Sequence, residues 1–247
     1  QGEYVFDHGW ADAWHRAGGN YYPKLLGAVP FTPATGPRLL LRDPALAPAL
    51  LAAAETLTRA NQLSSAHANF ISPEQVADFE AADWLIRTDQ QFHWFNDGYA
   101  SFDDFLAALS SRKRKTIRRE RSEALQDGIT VEHLTGADLT EAHWDAFWAF
   151  YQDTGARKWG RPYLTRQFFS LLGERMADRV LLMLAKHEGR YIAGALNLIG
   201  DDCLYGRYWG ATVEVPFLHF ELCYHQAIDW AITHGLARVE PGAQGAH

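Results

Sequence analysis

Glu240 is the residue that the sequence places best for proton transfer. It ends the predicted strand Leu236–Glu240 and stands directly before the tight turn Pro241-Gly242. Ligands of α/β sheets meet the carboxyl ends of the strands, and a carboxylate that is partly removed from water there can act as a base. The alternative interpretation is a surface acid that caps the turn.

Three more residues can take part in chemistry. Arg207 and Tyr208 lie near the end of the preceding predicted strand, and His219 lies at the start of the last predicted helix. Tyr208 can donate a proton, and Arg207 can hold a phosphate or a carboxylate. Because side chains alternate along a strand, we expect these two to face opposite sides, so at most one points into a cleft. His219 begins the helix and can act as a general base. Structural interpretations stay open for all three: a cross-strand aromatic pair, a surface arginine and a residue of the first helical turn.

A dense cationic segment, RKRKTIRRER, runs from Arg112 to Arg121 and contains seven basic residues and one acidic residue. The segment carries +6 while the whole chain carries −7, so the remaining residues carry −13. An acidic protein with one concentrated basic strip is typical of a site that grips a phosphate-bearing ligand, and a solvated helix face is the alternative. The candidate phosphate-binding residues are Arg114, Lys115, Arg118 and Arg119 in this segment, Lys158 and Trp159 in a basic-aromatic link, and Lys24 in a predicted strand.

Composition limits the classes of protein to which the chain can belong. Of its 247 residues, 47% are apolar and 21% are charged, which is typical of a globular protein and excludes disorder. Two cysteines cannot form a disulfide framework and indicate a reducing compartment, so we expect a cytoplasmic protein. No stretch approaches the roughly 20 apolar residues of a membrane-spanning helix. His219, Glu221 and His225 predict no metal site, because the six-residue separation of the histidines puts them on different helix faces.

The elements that must position these residues alternate between strands and helices, which is an α/β pattern. In the first half, strands are predicted at Tyr22–Phe31, Arg38–Leu41, Ser65–Ile71 and Asp83–Trp94, with helices after Asp43 and Ser72. One long helix is then predicted from Ser101 to about Leu125, ended by Gly128. Its first part is apolar, and its second part is the cationic segment.

The second half predicts a strand at 129–133, two helices, three consecutive strands, a helix and a final strand. The two helices begin at the capping-box sequence 138–141 and at Thr165. The three strands Val180–Ala185, Tyr191–Ile199 and Cys203–Trp209 are joined by hairpin-length turns, so we expect them to be antiparallel. The last helix follows Pro216 and ends at Gly235.

This order resembles the GNAT acyltransferase fold, and the whole chain resembles its FemAB-like branch, in which two such units lie in tandem. The segments that carry the resemblance are RKRKTIRRERSEALQDGITVEHL, HFELCYHQAIDWAITHGLARVEPGAQG and PKLLGAVPFTPATGPRLL. They are similar to a bacterial group of predicted N-acyltransferases that are described as peptidoglycan biosynthesis or recognition proteins. The resemblance implies an α/β fold with tandem GNAT-like units at 1–100 and 129–247, each with a mixed central sheet, joined by a long basic helix at 101–128.

The resemblance also implies a transferase that moves an acyl or aminoacyl group to an amine, with a cell-wall precursor as one candidate acceptor. The donor is acyl-CoA or aminoacyl-tRNA, so tRNA is a candidate partner. In such a reaction the amine loses a proton, the carbonyl oxygen becomes an oxyanion, and the leaving group takes a proton. Glu240, Tyr208 and His219 are the candidates for these proton transfers.

Three departures from the family pattern bear on this function. The connection from Gly210 to His219 contains one glycine and an acidic residue, a poor pyrophosphate cradle, which favours aminoacyl-tRNA over acyl-CoA. Ala246 and His247 stand where the family has an acidic residue and a lysine. Family members also extend further at both ends, so we expect a truncated chain.

Two alternative functions stay open. One is an acyl-CoA-dependent N-acetyltransferase that acts on small molecules. The other is a non-catalytic module that keeps the fold and binds a phosphorylated or peptidoglycan-like partner.

Overall fold

The computed structural model describes the backbone of residues 7–159 and 162–242, and the side chains of all of these except 156–159. By Cα proximity the chain divides into two units, Gln1–Gln90 and Gln91–His247. No helix within the described ranges combines the length and the apolar character needed to cross a lipid bilayer.

Across residues 7–90, the first unit contains helices and two short strands. These elements are α1 (His8–Arg16), β1 (Leu25–Gly27), α2 (Ala47–Ala60), β2 (Ala66–Ala68) and α3 (Val76–Ala81). β1 and β2 pair in parallel, and Leu51 and Phe79 are buried in a small core. The Asp43 carboxylate accepts the Ala45 N–H in the short turn that leads into α2, so this helix start is confirmed.

The strands of this unit are shorter than the sequence predicted. Of the predicted strands Tyr22–Phe31, Ser65–Ile71, Arg38–Leu41 and Asp83–Trp94, the first two keep three residues each, the third forms none, and the fourth keeps Trp94 alone. Prolines at 23, 30, 33 and 37 lack the N–H that a ladder needs. The Gln75 side chain replaces a strand partner, because its Oε1 accepts the N–H groups of Arg38 and Leu39 at 2.7 and 3.2 Å.

Across residues 91–159 and 162–242, the second unit is a six-stranded mixed sheet between two layers of helices. Its strands are β3 (Trp94–Phe95), β4 (Thr130–Leu134), β5 (Val180–His187), β6 (Arg190–Ile199), β7 (Cys203–Ala211) and β8 (Arg238–Glu240), in the order β3-β8-β7-β6-β5-β4. Its helices are α4 (Phe102–Ala108), α5 (Ser111–Ala124), α6 (Glu141–Trp159), α7 (Arg166–Met176), α8 (Leu218–Phe220) and α9 (Gln226–Thr233), with a π-helical turn at Glu221–His225. β7 and β8 are parallel and the other pairs are antiparallel. The predicted meander of three strands, with a helix and a strand after it, is confirmed.

The two faces of this sheet carry different helices. On the face that we call the α9 face, α4, α9 and the π-helical turn cover Val239. On the face that we call the α6 face, α6 and α7 supply the buried rings of Trp144 and Phe169. Gly210 lets α6 approach β7, since a Cβ there would lie 2.4 Å from the Phe150 carbonyl oxygen.

The single long helix predicted over 101–125 is wrong, because it is broken into α4 and α5. Ser101 caps α4 through its Oγ, which accepts the Asp104 N–H at 3.1 Å, so the N-cap half of the predicted capping box is confirmed. Ser110 caps α5 in the same way, accepting the Lys113 N–H at 3.4 Å, and this second cap starts a new helix. Both helices lie in the second unit.

A buried ion pair attaches α5 to the π-helical turn. Arg121 donates to both oxygens of Glu221, with Nε–Oε2 and Nη2–Oε1 distances of 3.0 Å. Gln226 donates to Glu221 Oε1 at 2.7 Å, and the Arg121 guanidinium lies 4.3 Å from the centre of the Phe102 ring. Because the Glu221 side chain is 0% exposed, the last arginine of the cationic segment is part of the fold.

Replacing Arg121 tests this attachment. Arg121→Ala leaves the Glu221 charge buried without its cation, so we expect a loss of about 3–5 kcal/mol in the free energy of unfolding. The double variant Arg121→Met/Glu221→Leu removes both charges and is expected to recover most of that loss. Urea unfolding measures both. Arg119→Ala, on the exposed side of α5, is the control and should change stability by less than about 0.5 kcal/mol; equal losses at positions 119 and 121 would contradict the account.

The imidazole of His225 predicts a pH dependence of stability. Burial lowers its pKa to about 4 from the ordinary 6.5, and the charge of Arg121 lowers it in the same direction. His225 is therefore protonated below about pH 6.5 in the unfolded chain, but only below about pH 4 in the folded chain. The free energy of unfolding falls as the pH falls through that window. At pH 5 we expect a loss of roughly 2 kcal/mol relative to pH 7.5 that is absent from His225→Phe. Urea unfolding of the wild type and of His225→Phe at both pH values checks this. An equal change in the free energy of unfolding in the two proteins would contradict the prediction.

Candidate functional site

Glu240 ends β8, and its side chain is 11% exposed. Its Oε1 accepts from Arg238 Nε at 3.1 Å, and Arg238 Nη1 donates to Asp202 at 2.5 Å. Burial alone would lower the pKa of Arg238, but the hydrogen bond to Glu240 and the surrounding negative charge raise it above its usual value. One oxygen of Glu240 is thus held by a permanently charged guanidinium, and the other is not part of that pair.

β7 and β8 pair over a short length. Cys203, Leu204 and Tyr205 stand opposite Arg238, Val239 and Glu240. β7 continues to Ala211, whereas β8 ends at Glu240, and the Pro241 backbone after it still lies 3.1 Å from the position of a Cβ on Gly206. Among the described residues the last part of β7 has no strand partner on this side, and this part of β7 together with Glu240 is the candidate site.

A β-bulge lies at this opening. Leu196 stands opposite Tyr208 and Asn197 opposite Gly206, so Arg207 is an extra residue in β7. The Arg207 guanidinium lies 4.4 Å from the centre of the Tyr208 ring. The expectation that these two side chains face opposite sides is therefore wrong, because the bulge breaks the alternation on which it rested.

Tyr208 belongs to a cluster of phenols. Its hydroxyl lies 2.6 Å from that of Tyr163, and its ring meets Tyr151 edge to face at 5.3 Å. Burial raises the pKa of Tyr208, while the charge of Arg207 and the hydrogen bond with Tyr163 partly oppose the rise. Tyr208 is consequently a protonated hydroxyl near neutral pH, close to a fixed positive charge.

Strand register puts Glu240 and Tyr208 on one face of the sheet. Val239 and Leu204 pack on the α9 face, so their neighbours Glu240 and Tyr205 point to the α6 face. Tyr208 also packs on the α6 face. Because Tyr205 is the register partner of Glu240, the backbone positions of Glu240 and Tyr208 are separated by roughly 7–10 Å along the strand direction. A proton acceptor and a proton donor therefore share one surface.

The third candidate for proton transfer, His219, lies elsewhere. Its ring is 5.2 Å from Trp209 and 5.9 Å from Tyr224, both edge to face. Trp209 packs on the α9 face, so the structure does not bring His219 together with Glu240 and Tyr208.

The cationic segment also lies on the α9 face, where Ile117 of α5 packs. Arg114 donates to the Ala107 carbonyl at 3.2 Å, Arg118 pairs with Asp103 at 2.9 Å, and Arg119 pairs with Glu123 at 3.5 Å. Lys115 is exposed and makes no ion pair with any described residue. These four side chains are thus grouped on α5 and separated by the sheet from Glu240.

A surface cavity of about 390 Å³ opens beside α5. It is lined by Ser101, Phe102, Asp103, Leu106, Arg118, Arg121 and Asp229. Both arginines already face carboxylates there, since Arg121 Nη2 lies 4.0 Å from Asp229 and Arg118 is paired with Asp103. The cavity is accordingly of mixed charge rather than cationic.

Lys24 lies in the first unit and is buried against Asp7. The Nζ–Oδ2 distance is 2.6 Å, and the two side chains are 4% and 7% exposed. Burial would raise the pKa of Asp7, but hydrogen bonds from Lys24, Tyr21 and Arg87 outweigh it and hold that pKa well below its usual range. The positive charge of Lys24 is therefore already matched by a carboxylate.

The candidates Lys158 and Trp159 fall at the end of α6, and their side chains lie outside the described residues. Ala246 and His247 also lie outside them. Within 7–159 and 162–242, no three His, Cys, Asp or Glu side chains gather in an arrangement that could hold a metal ion.

Sequence analysis missed His93 and Tyr163. His93 precedes β3, and it comes near Glu240 because β3 pairs with β8 at the far end of the chain. Tyr163 reaches Tyr208 because Tyr163 and Leu164, which precede α7, pack against β7. Neither proximity leaves a local periodicity that a sequence pattern could reveal.

A model of the FemAB-like family, described as peptidoglycan biosynthesis and recognition, matches residues 1–247. No curated protein matches the sequence.

Several solved structures share the fold. L-PGS from Bacillus licheniformis has a TM-score of 0.60 and 10% identity, and the match covers 83% of this chain and 62% of that one. FemX has a TM-score of 0.52 and 16% identity, with 79% and 67% covered. The C-terminal domain (DUF2156) of a protein described as a lysylphosphatidylglycerol synthetase from Agrobacterium fabrum has a TM-score of 0.59 and 13% identity, with 81% and 60% covered.

These likenesses establish the fold and confirm its predicted class. The chain spans less than two thirds of the length of two of these three structures.

Proposed function

This chain belongs to the FemAB-like family, and from that premise we propose that it transfers an aminoacyl or acyl group to an amine. One observation carries the proposal: Glu240 and Tyr208 lie on the same face of two adjacent parallel strands, near the last residue pair that joins those strands. Such an edge is where α/β sheets bind ligands. The acceptor that the family description favours is a peptidoglycan precursor with a free amino group.

Each of these two residues carries out one proton transfer of the reaction. Glu240 takes a proton from the acceptor amine, whose nitrogen attacks the carbonyl carbon of the donor and forms the new C–N bond. Tyr208 gives its proton to the leaving oxygen as the C–O bond of the donor breaks. The Arg207 guanidinium over the Tyr208 ring places positive charge near the oxyanion, which favours the transition state.

We propose aminoacyl-tRNA as the donor rather than acyl-CoA. After β7 the chain reaches α8, which is three residues long and continues as a π-helical turn. The preceding residue, Phe217, has a φ of 60° in place of the glycine-rich turn of a pyrophosphate cradle. A tRNA donor and two free cysteines both fit a reaction in the cytoplasm. The exposed cations of α5 would hold donor phosphates.

Conservative variants test the two proton transfers. Glu240→Gln and Tyr208→Phe keep the shape of each side chain and remove its proton chemistry, so we expect each to lower kcat/KM by at least about tenfold. The assay offers aminoacyl-tRNA or acyl-CoA with a panel of primary amines and measures the amide formed. Glu214→Gln, an exposed acid before α8, is the matched control and should keep full activity. Turnover with acyl-CoA alone would overturn the assignment of aminoacyl-tRNA as the donor. No turnover with either donor would overturn the proposal that this chain is a transferase.

Charge reversal on α5 tests the phosphate contacts separately. Lys115→Glu with Arg119→Glu should weaken aminoacyl-tRNA binding and lower the slope of log affinity against log salt by roughly 1.5–2, the share of two phosphate contacts. Fluorescence anisotropy over a salt series measures this. Arg175→Glu with Arg190→Glu, two exposed arginines outside α5, changes the net charge equally. If this control pair has the same effect, only the net charge matters and α5 is not a phosphate site.

A further inference from the structure

The surface cavity beside α5 has no role in the reaction proposed above. It has a volume of about 390 Å³, which is within the size range of sites that hold a small molecule. Its wall is formed by residues at the start of α4, by Arg118 and Arg121 of α5 and by Asp229 of α9. The α4 residues that line it pack in the core of the α9 face, so the sheet separates the cavity from Glu240 and Tyr208.

Arg121 and Asp229 line this cavity together without a hydrogen bond between them. Arg121 Nη2 lies 4.0 Å from Asp229 Oδ2, which is too long for a direct bond. Nη2 carries two N–H groups, and one of them is used by Glu221 Oε1 at 3.0 Å. The Asp229 carboxylate accepts no hydrogen bond from any residue of 7–159 and 162–242, and its side chain is 41% exposed. A donor and an acceptor are therefore both available here, and a ligand can reach them.

Arg118 and Asp103 form a second pair of the same kind. Arg118 Nη2 donates to Asp103 Oδ1 at 2.9 Å, and the two side chains are 57% and 78% exposed. Asp103 Oδ2 and the other guanidinium nitrogens of Arg118 make no hydrogen bond within the described part of the chain. Because residues three apart lie on one side of a helix, Arg118 is next to Arg121 on α5. The cavity thus presents two neighbouring pairs, each with a guanidinium donor and a carboxylate acceptor.

This arrangement of charge favours a neutral ligand. The two guanidinium groups and the two carboxylates of the cavity wall sum to zero, and the buried Glu221 behind Arg121 adds one negative charge. An anion is therefore not attracted to the cavity, and at Arg118 it would lie beside Asp103. A cation at Asp229 would lie beside the Arg121 guanidinium. A hydroxyl group meets neither difficulty, because it is uncharged and can both donate and accept.

We infer that the cavity binds a neutral sugar through two adjacent hydroxyl groups. One hydroxyl accepts the free N–H of Arg121 and donates to Asp229, whose oxygen is less than two hydrogen-bond lengths of about 2.9 Å from that nitrogen. The adjacent hydroxyl accepts from Arg118 and donates to Asp103. A sugar ring holds its hydroxyl groups at fixed positions, so it loses less conformational freedom on binding than an open-chain polyol does. Because the cavity lies on the α9 face, the inference does not rest on the proposed transfer reaction.

Sugar binding can be measured by nuclear magnetic resonance without any acyl donor. In protein labelled with ¹⁵N-arginine, the Nε–H signal of Arg118 is identified by its loss in Arg118→Gln. The probes are the methyl β-glycosides of glucose, galactose and mannose, which are neutral and differ in the orientation of their hydroxyl groups. We expect at least one of them to shift the Arg118 signal saturably, and the charged probes ethylammonium and acetate to cause no saturable shift. No saturable shift from any glycoside, or tighter binding of either ion than of every glycoside, would overturn the inference.

Asp229→Asn tests the carboxylate directly. It keeps the shape of the side chain but removes the charged acceptor, so we expect the dissociation constant of the glycoside to rise at least about tenfold. Asp12→Asn changes an exposed acid of α1 and is the matched control, which should bind as the wild type does. Urea unfolding of both variants shows that they are folded. An unchanged dissociation constant in Asp229→Asn, or an equal rise in Asp12→Asn, would overturn the assignment of the sugar to this cavity.

Discussion

The short parallel pairing of β7 with β8 is the constraint on which the candidate site depends. Three residue pairs, ending at Tyr205 and Glu240, hold the strands together, and β7 continues beyond them whereas β8 ends at Glu240. Had the pairing run on, a ladder would occupy the edge of β7 that has no strand partner among the described residues. The bulge at Arg207 comes just after the last pair and turns the arginine and Tyr208 toward each other. A carboxylate, a phenol and a guanidinium thereby lie near one end of the β7–β8 pairing, and of the three only Arg207 and Tyr208 are neighbours in the sequence.

The other face of the same sheet shows a different use of charge. The cationic segment is typical of a ligand-binding site, but its residues do different things according to the side of the helix on which they lie. Arg121 pairs with the buried Glu221, and Arg118 pairs with Asp103. Arg114 donates to the Ala107 carbonyl at the end of α4. A charge run that repels itself in isolation becomes tolerable when part of it is paired within the fold. The cations that remain outermost lie across the sheet from Glu240, so phosphate binding and proton transfer, as proposed, occupy separate surfaces.

Much of the second unit could be predicted from its sequence, and the reason is local. The apolar runs of β5 and β6 and the hairpin-length turns that follow them fix a meander within adjacent residues, and Glu240 is recognisable because a Pro-Gly turn follows it. The break before Ser110 was missed because the helical periodicity continues across it. Arg38–Leu41 has strand-like composition, but the Gln75 side chain takes its hydrogen bonds. The pairing of β3 with β8 joins distant parts of the chain, so the position of His93 lay beyond any local pattern.

We propose that an amide is made on the α6 face, at the edge shared by Glu240 and Tyr208. The most direct measurement is a crystal structure of the protein with a small N-acylated amine product bound. We expect the amide nitrogen of the product to lie within hydrogen-bond distance of Glu240, with the acyl carbon on the Tyr208 side. A product bound instead on the α9 face, beside α5 or His219, with the Glu240 edge empty, would contradict it.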